Sequence, residues 1–364
     1  PTKDPHDPRP VVGQCGFGWR PRDFAIRDSR PADFARFWDA AKAKINAIPL
    51  DARIETPMET FDRDQINAYN LTSACLPADY DPQGHKTETV ESCKISFAGP
   101  DGGRVYAWLA KPLGPGPFPA MIVVPGAGFN ARPRPLEHAR HGYLAIDVQI
   151  HGQDVDLPKY INLPGYFDNQ QYEPVEAFYY YNVHLRVIQA VNYLLQRPDV
   201  DAKRIVVVGG SQGGRLGIVA AGLDHRIAAV VSCIANSPNY PFLTWVARCN
   251  GVDRPGQNPD DPQFRDRPRS DGMDLTGAPP AVTTPDGIAI AYYDPMNYAP
   301  DIKCPVLMNG GMIDGASPPS SVWAVFNRLG TKDKTIIPMP GLAHDWSAEF
   351  DRRAWRWLDE RLKH

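Results

Sequence analysis

Short, uninterrupted apolar runs recur along the second two-thirds of the chain, and they limit the fold more than any other feature. They occupy residues 121–124, 143–148, 205–208, 228–234, 306–308 and 335–337. A strand of a parallel sheet is buried on both faces, so its sequence is apolar throughout rather than alternating. Helical patterns lie between the runs, for example over residues 177–195 and 347–362. The alternation predicts the α/β class, with a mostly parallel central sheet and helices on both faces.

The first third of the chain has a different pattern. Residues 1–30 are rich in Pro, Asp and Arg and are interpreted as an extended arm, and residues 31–48 predict a helix capped by Asp33. Antiparallel lead-in strands are then predicted at residues 66–71, 90–97 and 105–109. We therefore expect a strand-rich N-terminal extension over residues 1–115 and an α/β core over residues 116–364. Residues 30–115 and the core are expected to form one continuous structural unit.

One polar stretch interrupts the alternation of strands and helices. Residues 250–286 are rich in Pro, Asp and Arg and poor in apolar side chains. A long connection of this kind predicts a surface excursion or a cap near a site.

Composition narrows the classes of partner. The chain has 364 residues and a net charge of −3, so it has no basic field that would hold nucleic acid. No apolar stretch approaches the ~20 residues that span a bilayer, and no membrane partner is expected.

The start at Pro1 is typical of a trimmed or mature N terminus, which leaves a removed signal peptide possible. The compartment stays open, with a secreted or periplasmic one favoured over the cytoplasm.

The six cysteines allow two interpretations. No pair has the CxxC spacing of a zinc ribbon or a thioredoxin-type site. Cys75 with Cys93, and Cys233 with Cys249, have spacings that suit disulfides. Free buried thiols are the equal alternative.

A glycine-rich turn around Ser211 is the strongest functional signal. The sequence from Val206 to Gly214 reads VVVGGSQGG, and an apolar helical pattern follows at once. A G-x-S-x-G motif between a strand and a helix is typical of a nucleophilic serine on a sharp, strained turn. The flanking glycines remove the Cβ atoms that would clash where strand and helix meet. The alternative is an ordinary glycine-rich turn with an incidental serine.

The order of residues after Ser211 selects a base and an acid. His344 follows the apolar run at 335–337 and a turn, whereas His225 lies close behind the helix that follows Ser211 and His364 is the last residue. Asp314 follows the run at 306–308 and two glycines, a position typical of a loop at a strand end. Such an acid would orient the imidazole and stabilise its charged form. Asp301 and Asp294 are rival acids, and a turn residue or helix cap is the alternative interpretation of Asp314.

Two backbone N–H groups are candidates for an oxyanion hole. The Gln212 N–H follows the serine at the start of a helix, and the Phe129 N–H lies in a glycine-rich loop after an early core strand. An ordinary turn at 126–130 is an equal alternative. A dinucleotide-binding loop there is discounted because Pro133 and Pro135 disfavour the helix that it needs. His138 and His141 have H-x-x-H spacing without a supporting acid, so neither a metal nor a cofactor is expected.

At this point the motifs resemble those of carbohydrate esterase family 7, the acetyl xylan esterases and cephalosporin C deacetylases. The matching pieces are GGSQGG at 209–214, His151-Gly152-Gln153 for that family's RGQ, Asp314 with Pro318-Pro319-Ser320, and His344-Asp345 for its HE motif. The resemblance covers roughly residues 30–364. It implies an α/β-hydrolase fold, a Ser211–His344–Asp314 triad, removal of acetyl groups from xylan or oligosaccharides, and a closed homo-oligomer, a hexamer.

The chain departs from the family pattern near the expected substrate. His151 stands where the family has Arg, Ala127-Gly128-Phe129 replaces its HGY segment, and Asp345 replaces its Glu. The resemblance and the bulk of the side chains make Tyr180, Tyr181, Gln153 and His151 candidate substrate contacts. Bulky rings beside the serine favour short acyl groups. The aromatic residues of segment 154–178 could supply subunit contacts, line the pocket or pack locally; they are Tyr160, Tyr166, Phe167 and Tyr172.

Three functions remain to be compared. The first is a carbohydrate acetyl esterase with an oligosaccharide or small-molecule ester as substrate. The second is another acyl hydrolase, an aromatic-ester esterase or a peptidase, although no large additional N-terminal domain of the peptidase type is present. The third is a catalytically inactive binding protein, which the order of the Ser, Asp and His residues disfavours.

Overall fold

The computed structural model describes residues 15–18, 21–23, 29–72, 86–166, 173–235 and 289–362. The predicted excursion at 250–286 lies outside the described residues. The same holds for Cys75, Cys249, Phe167 and Tyr172.

One twisted sheet contains all the strands that the described ranges include. Its order is β1-β3-β4-β6-β5-β7-β8-β9-β10, with β2 also paired to β3. The pairs from β6 through β10 are parallel, whereas those involving β1 to β4 are antiparallel. The bounds are β1 Arg53–Ile54, β2 Glu59–Phe61, β3 Val90–Ala98, β4 Arg104–Pro112, β5 Phe118–Val124, β6 Leu144–Val148, β7 Val200–Gly210, β8 Ala229–Cys233, β9 Val306–Gly311 and β10 Lys334–Met339.

Helices cover both faces of this sheet. Their bounds are α1 Phe34–Asn46, α2 Arg63–Thr72, α3 Leu136–Arg140, α4 Tyr180–Leu195, α5 Gln212–Leu223, α6 Pro319–Arg328 and α7 Ala348–Leu362. Apolar side chains of α1, α4, α5 and α6 share one core with alternate strand residues. Side chains of α7 pack on the opposite face, and α3 with α2 forms a smaller cluster beside them.

Alternate residues of the central strands point to opposite cores, which explains the uninterrupted apolar runs. In β7, Val207 belongs to the core under α5 and Val206 to the core under α7. Because successive strand side chains point to opposite faces, both residues must be apolar. The predicted α/β class with a mostly parallel sheet is confirmed, and its six core strands lie where the sequence indicated.

The lead-in strands extend the core sheet instead of forming a separate layer. β4 pairs antiparallel with β6, with Leu109 opposite Ile146. β3 pairs with β4 in turn and carries β1 and β2 at the edge. The strands predicted at 90–97 and 105–109 are confirmed, and they are continuous with the parallel part of the sheet.

The strand predicted at 66–71 is wrong, because these residues belong to helix α2. Asp62 Oδ1 accepts a hydrogen bond from the Gln65 N–H, and Gln65 Oε1 accepts one from the Asp62 N–H, each at 2.9 Å. This reciprocal cap satisfies two N–H groups at a helix start. Ile66 and Asn70, four positions apart, are both buried whereas Leu71 is exposed, which is the spacing of one helix face.

The predicted N-terminal helix is confirmed as α1, but Asp33 does not cap it. The Asp33 side chain makes no cap hydrogen bond and instead accepts hydrogen bonds from the Tyr292 hydroxyl and from Arg36. On the buried face of α1, Trp38 donates its indole N–H to the Tyr292 carbonyl at 3.1 Å. Contacts to residue 292 on both sides fix α1 against the segment before β9.

The structure favours the free-thiol interpretation of the buried cysteines. Cys93 and Cys233 are both buried and carry free thiols. Burial raises the pKa of each thiol, so both are held in the neutral, unreactive form. In the described ranges, every helix is too short or too polar to cross a lipid bilayer.

A half-buried carboxyl group, that of Asp351, lies on α7. In the described part of the chain, Asp351 Oδ2 is buried without a hydrogen-bond partner. Burial raises the pKa of Asp351 to about 7, although a hydrogen bond from Trp346 and the charge of Arg352 act in the opposite direction. Asp351 is therefore neutral in mildly acidic solution and becomes a desolvated anion above neutrality.

We expect this carboxyl group to make the fold less stable as the pH rises from about 4 to about 7. In that window the folded chain keeps a proton that the unfolded chain has released, so each step upward in pH favours unfolding. Asp351→Asn removes the titration and should raise the free energy of unfolding at about pH 8 by at most about 4 kcal/mol, with little gain at about pH 4. Urea unfolding across this range measures the effect.

The control is Glu349→Gln, which changes an exposed carboxylate on the same helix. Its stability should follow the pH profile of the wild-type chain. An Asp351→Asn profile parallel to that of the wild type would contradict the assignment.

Candidate active site

The turn from β7 into α5 places Ser211 at the carboxyl edge of the sheet with a strained backbone. Ser211 has φ +54° and ψ −120°, a region that non-glycine residues rarely adopt. A Cβ at Gly213 would lie 2.1 Å from the Val124 carbonyl oxygen, and one at Gly209 would lie 2.6 Å from the Gly213 carbonyl carbon. Only glycine fits at these two positions, so the predicted role of the flanking glycines is confirmed.

Ser211, His344 and Asp314 form one chain of hydrogen bonds. His344 Nε2 lies 2.9 Å from Ser211 Oγ, and His344 Nδ1 lies 2.8 Å from Asp314 Oδ2. The imidazole side chain is 29% exposed whereas the Asp314 side chain is fully buried. The imidazole is therefore accessible from the solvent, from which a substrate arrives, whereas the carboxylate is buried beneath it.

Asp314 acts both as a turn residue and as the partner of His344. Its Oδ1 accepts hydrogen bonds from the N–H groups of Ala316 at 2.8 Å and Ser317 at 2.7 Å. Its Oδ2 is left for the imidazole. The two interpretations given by the sequence are thus compatible, because the turn fixes the carboxylate in the orientation that the histidine requires.

The rival residues lie elsewhere and have other partners. Asp301 forms an ion pair with Arg30 at 2.6 Å, and its carbonyl oxygen lies 3.0 Å from His225 Nε2. Asp294 caps a short 3-10 helix by accepting a hydrogen bond from the Met296 N–H at 2.9 Å. None of these groups is hydrogen-bonded to Ser211 or His344.

The loop after β5 lies beside the serine. A Cβ at Gly126 would lie 4.0 Å from the Cβ of Ser211, and Gly128 has φ +109°. Gln212 is the first residue of α5, so its N–H is among those that have no intrahelical acceptor. The arrangement brings the loop that carries Phe129 next to the N-terminus of α5, as an oxyanion hole built from these two N–H groups requires.

Tyr166 is a residue of this site that the sequence did not identify. Its hydroxyl accepts a hydrogen bond from the Gly128 N–H at 2.9 Å and donates one to Gln212 Oε1 at 2.8 Å. Tyr180 donates a second hydrogen bond to Gln212 Oε1 at 2.9 Å. No local motif marks Tyr166, which the sequence presents only as one aromatic of the segment 154–178, whose rings could form a subunit contact, line the pocket or pack locally.

The four candidate substrate contacts have different positions. Tyr180 is hydrogen-bonded to Gln212 and its ring lies under the guanidinium of Arg215, 4.1 Å away. Tyr181 instead packs on α1, with ring centroids 5.9 Å from Phe37 and 6.0 Å from Trp38.

The other two candidates lie on the loop after β6. The amide of Gln153 forms hydrogen bonds with both the N–H and the carbonyl of Ile161, which close the loop between these residues. His151 is buried, and its Nδ1 lies 2.7 Å from the Tyr179 hydroxyl. Its ring also packs against Phe129 and Tyr166, at centroid distances of 4.6 Å and 4.9 Å.

His151 is a neutral packing residue rather than a charged one. Burial lowers the pKa of His151 to about 3, and the charges of Arg186 and Arg132 act in the same direction. The imidazole therefore has no positive charge at neutral pH and differs in this respect from the arginine of the resembled family. Its ring packs against the ring of Phe129 and helps to hold it in place.

Among the residues that the structure describes, no cluster of His, Cys, Asp and Glu side chains has the geometry of a metal site. A serine hydrogen-bonded to an imidazole, with N–H groups of two segments beside it, suits nucleophilic attack on a carbonyl carbon.

Comparison with known proteins agrees with this chemistry. The sequence profile of the acetyl xylan esterase family (AXE1) matches residues 73–361. The acetyl esterase Axe7A of Xylanibacter ruminicola is 25% identical over 359 residues, which cover 95% of this chain and 71% of that protein. The acyl-coenzyme A thioesterase 1 of Mus musculus is 33% identical, but only over 134 residues, 26% of its length.

Solved structures share the same fold. The acetyl xylan esterase of Paenibacillus sp. R4 superimposes with a TM-score of 0.68 at 23% identity, covering 94% of this chain and 99% of that chain. The acetyl xylan esterase 1 of Thermoanaerobacterium sp. JW/SL YS485 has a TM-score of 0.68 at 21% identity and covers 94% and 97%. The fold is therefore that of the α/β hydrolases. With its profile match over most of its length, this chain belongs to the acetyl xylan esterase family and is an ester hydrolase.

Proposed function

We propose that this chain removes acetyl groups from acetylated carbohydrates, with Ser211 as nucleophile, His344 as general base and Asp314 as the orienting acid. The observation that carries the proposal is the continuous hydrogen-bond chain from Ser211 Oγ through His344 to Asp314, with distances of 2.9 Å and 2.8 Å. A serine is a weak nucleophile until a base within hydrogen-bond reach takes its proton.

In the first half of the reaction, Ser211 Oγ attacks the ester carbonyl carbon while its proton moves to His344 Nε2. Asp314, held by two backbone N–H groups, keeps the Nδ1 proton in place and stabilises the imidazolium that forms. The carbonyl oxygen becomes an oxyanion and receives hydrogen bonds from the Gln212 and Phe129 N–H groups. The imidazolium then gives its proton to the sugar oxygen as the alcohol leaves.

In the second half, water hydrolyses the acetyl-enzyme. His344 takes a proton from the attacking water, and the same two N–H groups stabilise the second tetrahedral intermediate. The proton returns to Ser211 Oγ as acetic acid leaves, and the acid ionises to acetate in solution. No step requires a metal ion or a redox group, since the carbonyl of an ester is already electrophilic.

The preference for acetyl groups rests on family membership and on the rings beside the serine. The relative from Xylanibacter ruminicola is named an acetyl esterase, which supports the acyl group by analogy. Phe129 and Tyr180 are bulky side chains close to the place where Gly126 and Gln212 meet. Ring packing holds Phe129, and a hydrogen bond to Gln212 holds Tyr180. Fixed rings exclude long acyl chains sterically. Tyr181 makes no part of this wall, since it packs on α1.

The alternative functions have less support. A catalytically inactive binding protein would not need an orienting acid with both carboxylate oxygens engaged, as Asp314 has. An aromatic-ester esterase or a peptidase would use the same triad, so only the choice of substrate separates these activities from the proposed one.

The assembly and the compartment stay predictions. A homo-oligomer, with a hexamer as the expected form, rests on the family resemblance. Tyr160 and Tyr166 of the aromatic segment form hydrogen bonds within their own chain, to the Asp154 carbonyl and to Gln212 respectively. They therefore add no support for this segment as a subunit contact. A secreted or periplasmic location remains the expectation, and the free thiols of Cys93 and Cys233 add no support for it.

We predict that Ser211→Ala and His344→Ala each lower kcat for ester hydrolysis by at least about 10⁴-fold. The first variant lacks the nucleophile and the second lacks the base, while neither side chain contributes to the apolar cores. Acetate release and thermal unfolding are measured on each purified variant. His225→Ala is the matched control, since its imidazole bonds the Asp301 carbonyl and should leave kcat unchanged. Near-normal turnover by His344→Ala would remove it as the base.

Asp314→Asn should lower kcat by about 10³-fold to 10⁴-fold at neutral pH. The amide oxygen can still accept from Ala316 and Ser317, but the amide NH₂ then faces His344 Nδ1 and favours the wrong tautomer. Steady-state kinetics with one acetyl ester measures the loss. Asp301→Asn serves as the control for an acid that lies away from His344, and an Asp314→Asn enzyme with unchanged kcat would assign the role to another residue.

The length of the acyl group tests the proposed preference for acetyl esters. kcat/KM should fall from acetyl to butyryl to octanoyl esters of one common alcohol, because the rings near Ser211 leave little room for added methylene groups. In an open apolar slot each methylene would instead favour binding by about 1 kcal/mol. A rise in kcat/KM towards octanoyl would contradict the deacetylase proposal and favour a lipase-like activity.

A further inference from the structure

The two proposed oxyanion donors lie on segments that are far apart in sequence. Phe129 belongs to the loop after β5, and Gln212 begins α5. Their N–H groups must converge on one oxygen atom, so the spacing between the segments controls the strength of the site. The direct polar link between them is a hydrogen bond from Gln212 Nε2 to the Gly126 carbonyl, which is long at 3.3 Å.

A tyrosine hydroxyl bridges the same two segments with shorter hydrogen bonds. The Gly128 N–H donates to the Tyr166 hydroxyl at 2.9 Å, and this hydroxyl donates to Gln212 Oε1 at 2.8 Å. Gly128 directly precedes Phe129, so the bridge fixes the peptide that carries the candidate donor. The single proton of the hydroxyl is directed at Gln212 and is not available to a substrate oxygen while this bond stands.

The amide of Gln212 is itself fixed on both sides. Its Oε1 accepts hydrogen bonds from two hydroxyls, those of Tyr166 and Tyr180, which fill both lone pairs. Its Nε2 donates to Gly126. Gln212 is 2% exposed, so these bonds are shielded from competing water.

Ring packing holds Tyr166 independently of its hydroxyl. The Tyr166 ring is 4.8 Å from Phe129, 4.9 Å from His151 and 5.3 Å from Tyr179, measured between centroids. The residue is buried, with 6% of its surface exposed. Replacing it by phenylalanine therefore keeps the ring in place and deletes the bridge.

We propose that Tyr166 is a positioning residue of the oxyanion hole, whose hydroxyl sets the distance between the loop that carries Phe129 and the start of α5. In the described structure its hydroxyl bonds to Gly128 and Gln212 rather than to the triad, and it acts through these two residues. This role rests on the proposed function, since it presumes that the two N–H groups stabilise an oxyanion.

The test compares Tyr166→Phe with wild type on an activated aryl acetate. We expect kcat to fall about 10-fold to 100-fold with KM within about twofold, because the bridge matters most when the carbonyl oxygen carries negative charge. An alkyl boronic acid, whose tetrahedral adduct with the serine places an oxygen in the same hole, should bind more weakly by a similar factor. If Tyr166 had a purely structural role, Tyr166→Phe would lower the stability of the fold without this loss of kcat and of boronic acid affinity.

Tyr179→Phe is the matched control. Tyr179 belongs to the same ring cluster, but its hydroxyl pairs with His151 Nδ1 instead of the oxyanion segments. Its kcat should stay within about threefold of wild type. A Tyr166→Phe enzyme within twofold of wild type, or an equal loss in Tyr179→Phe, would overturn the proposal.

A double-mutant cycle tests the route through the glutamine. Gln212→Met removes the acceptor amide but keeps the backbone N–H. If Tyr166 acts through that amide, the double variant should be no less active than the less active of the two single variants. Additive losses would contradict the route. All of these rates are compared with wild type on one aryl ester, so a failure of the Tyr166 prediction would leave the deacetylase proposal standing. If the chain released no acetate from acetylated sugars, the deacetylase proposal would fail but the Tyr166 result would stand.

Discussion

The close contact between the start of α5 and the end of β5 is the constraint on which the site depends. Gly213 lies so near the Val124 carbonyl that a side chain at this position has no space. This contact forces the chain to turn sharply after β7 and holds Ser211 in its left-handed backbone conformation. The cost of that conformation is offset by the packing of β7 and α5 into the same core.

The parallel sheet then brings three distant segments together. Ser211 follows β7, Asp314 follows β9 and His344 follows β10, and parallel strands end at one edge. A catalytic group at each strand end therefore needs only a short loop to reach the next. In this protein, the Asp314 turn and the Ser211 elbow are both fixed by backbone hydrogen bonds, so the histidine meets two partners that are already oriented.

Much of this arrangement could be predicted from the sequence, for physical reasons that differ between elements. The core strands and Ser211 were predictable because burial on both faces and a tight turn each demand particular residues next to each other in the chain. Asp314 and His344 could be located by their order after Ser211. The sequence predicts a strand at helix α2 because its apolar residues are few, and only the Asp62–Gln65 pair at its start indicates a helix.

Tyr166 and the burial of His151 could not be predicted, since both result from packing between segments distant in sequence. A tyrosine in a loop has no local pattern that indicates which backbone group its hydroxyl will meet. Likewise, the ring that replaces a family arginine becomes a neutral packing group only because Phe129, Tyr166 and Tyr179 surround it. Sequence motifs therefore located the three residues of the Ser211–His344–Asp314 hydrogen-bond chain, whereas the contacts of Tyr166 and His151 were found only in the structure.

The most direct test of the account is to trap the acyl-enzyme. The wild-type chain is mixed with an activated aryl acetate, quenched in acid within milliseconds, and analysed by intact-protein and peptide mass spectrometry. The account predicts one acetyl group per chain, on the peptide that contains Ser211, which disappears as hydrolysis proceeds. Turnover of the ester with no acetylated chain, or with the acetyl group on another residue, would contradict it.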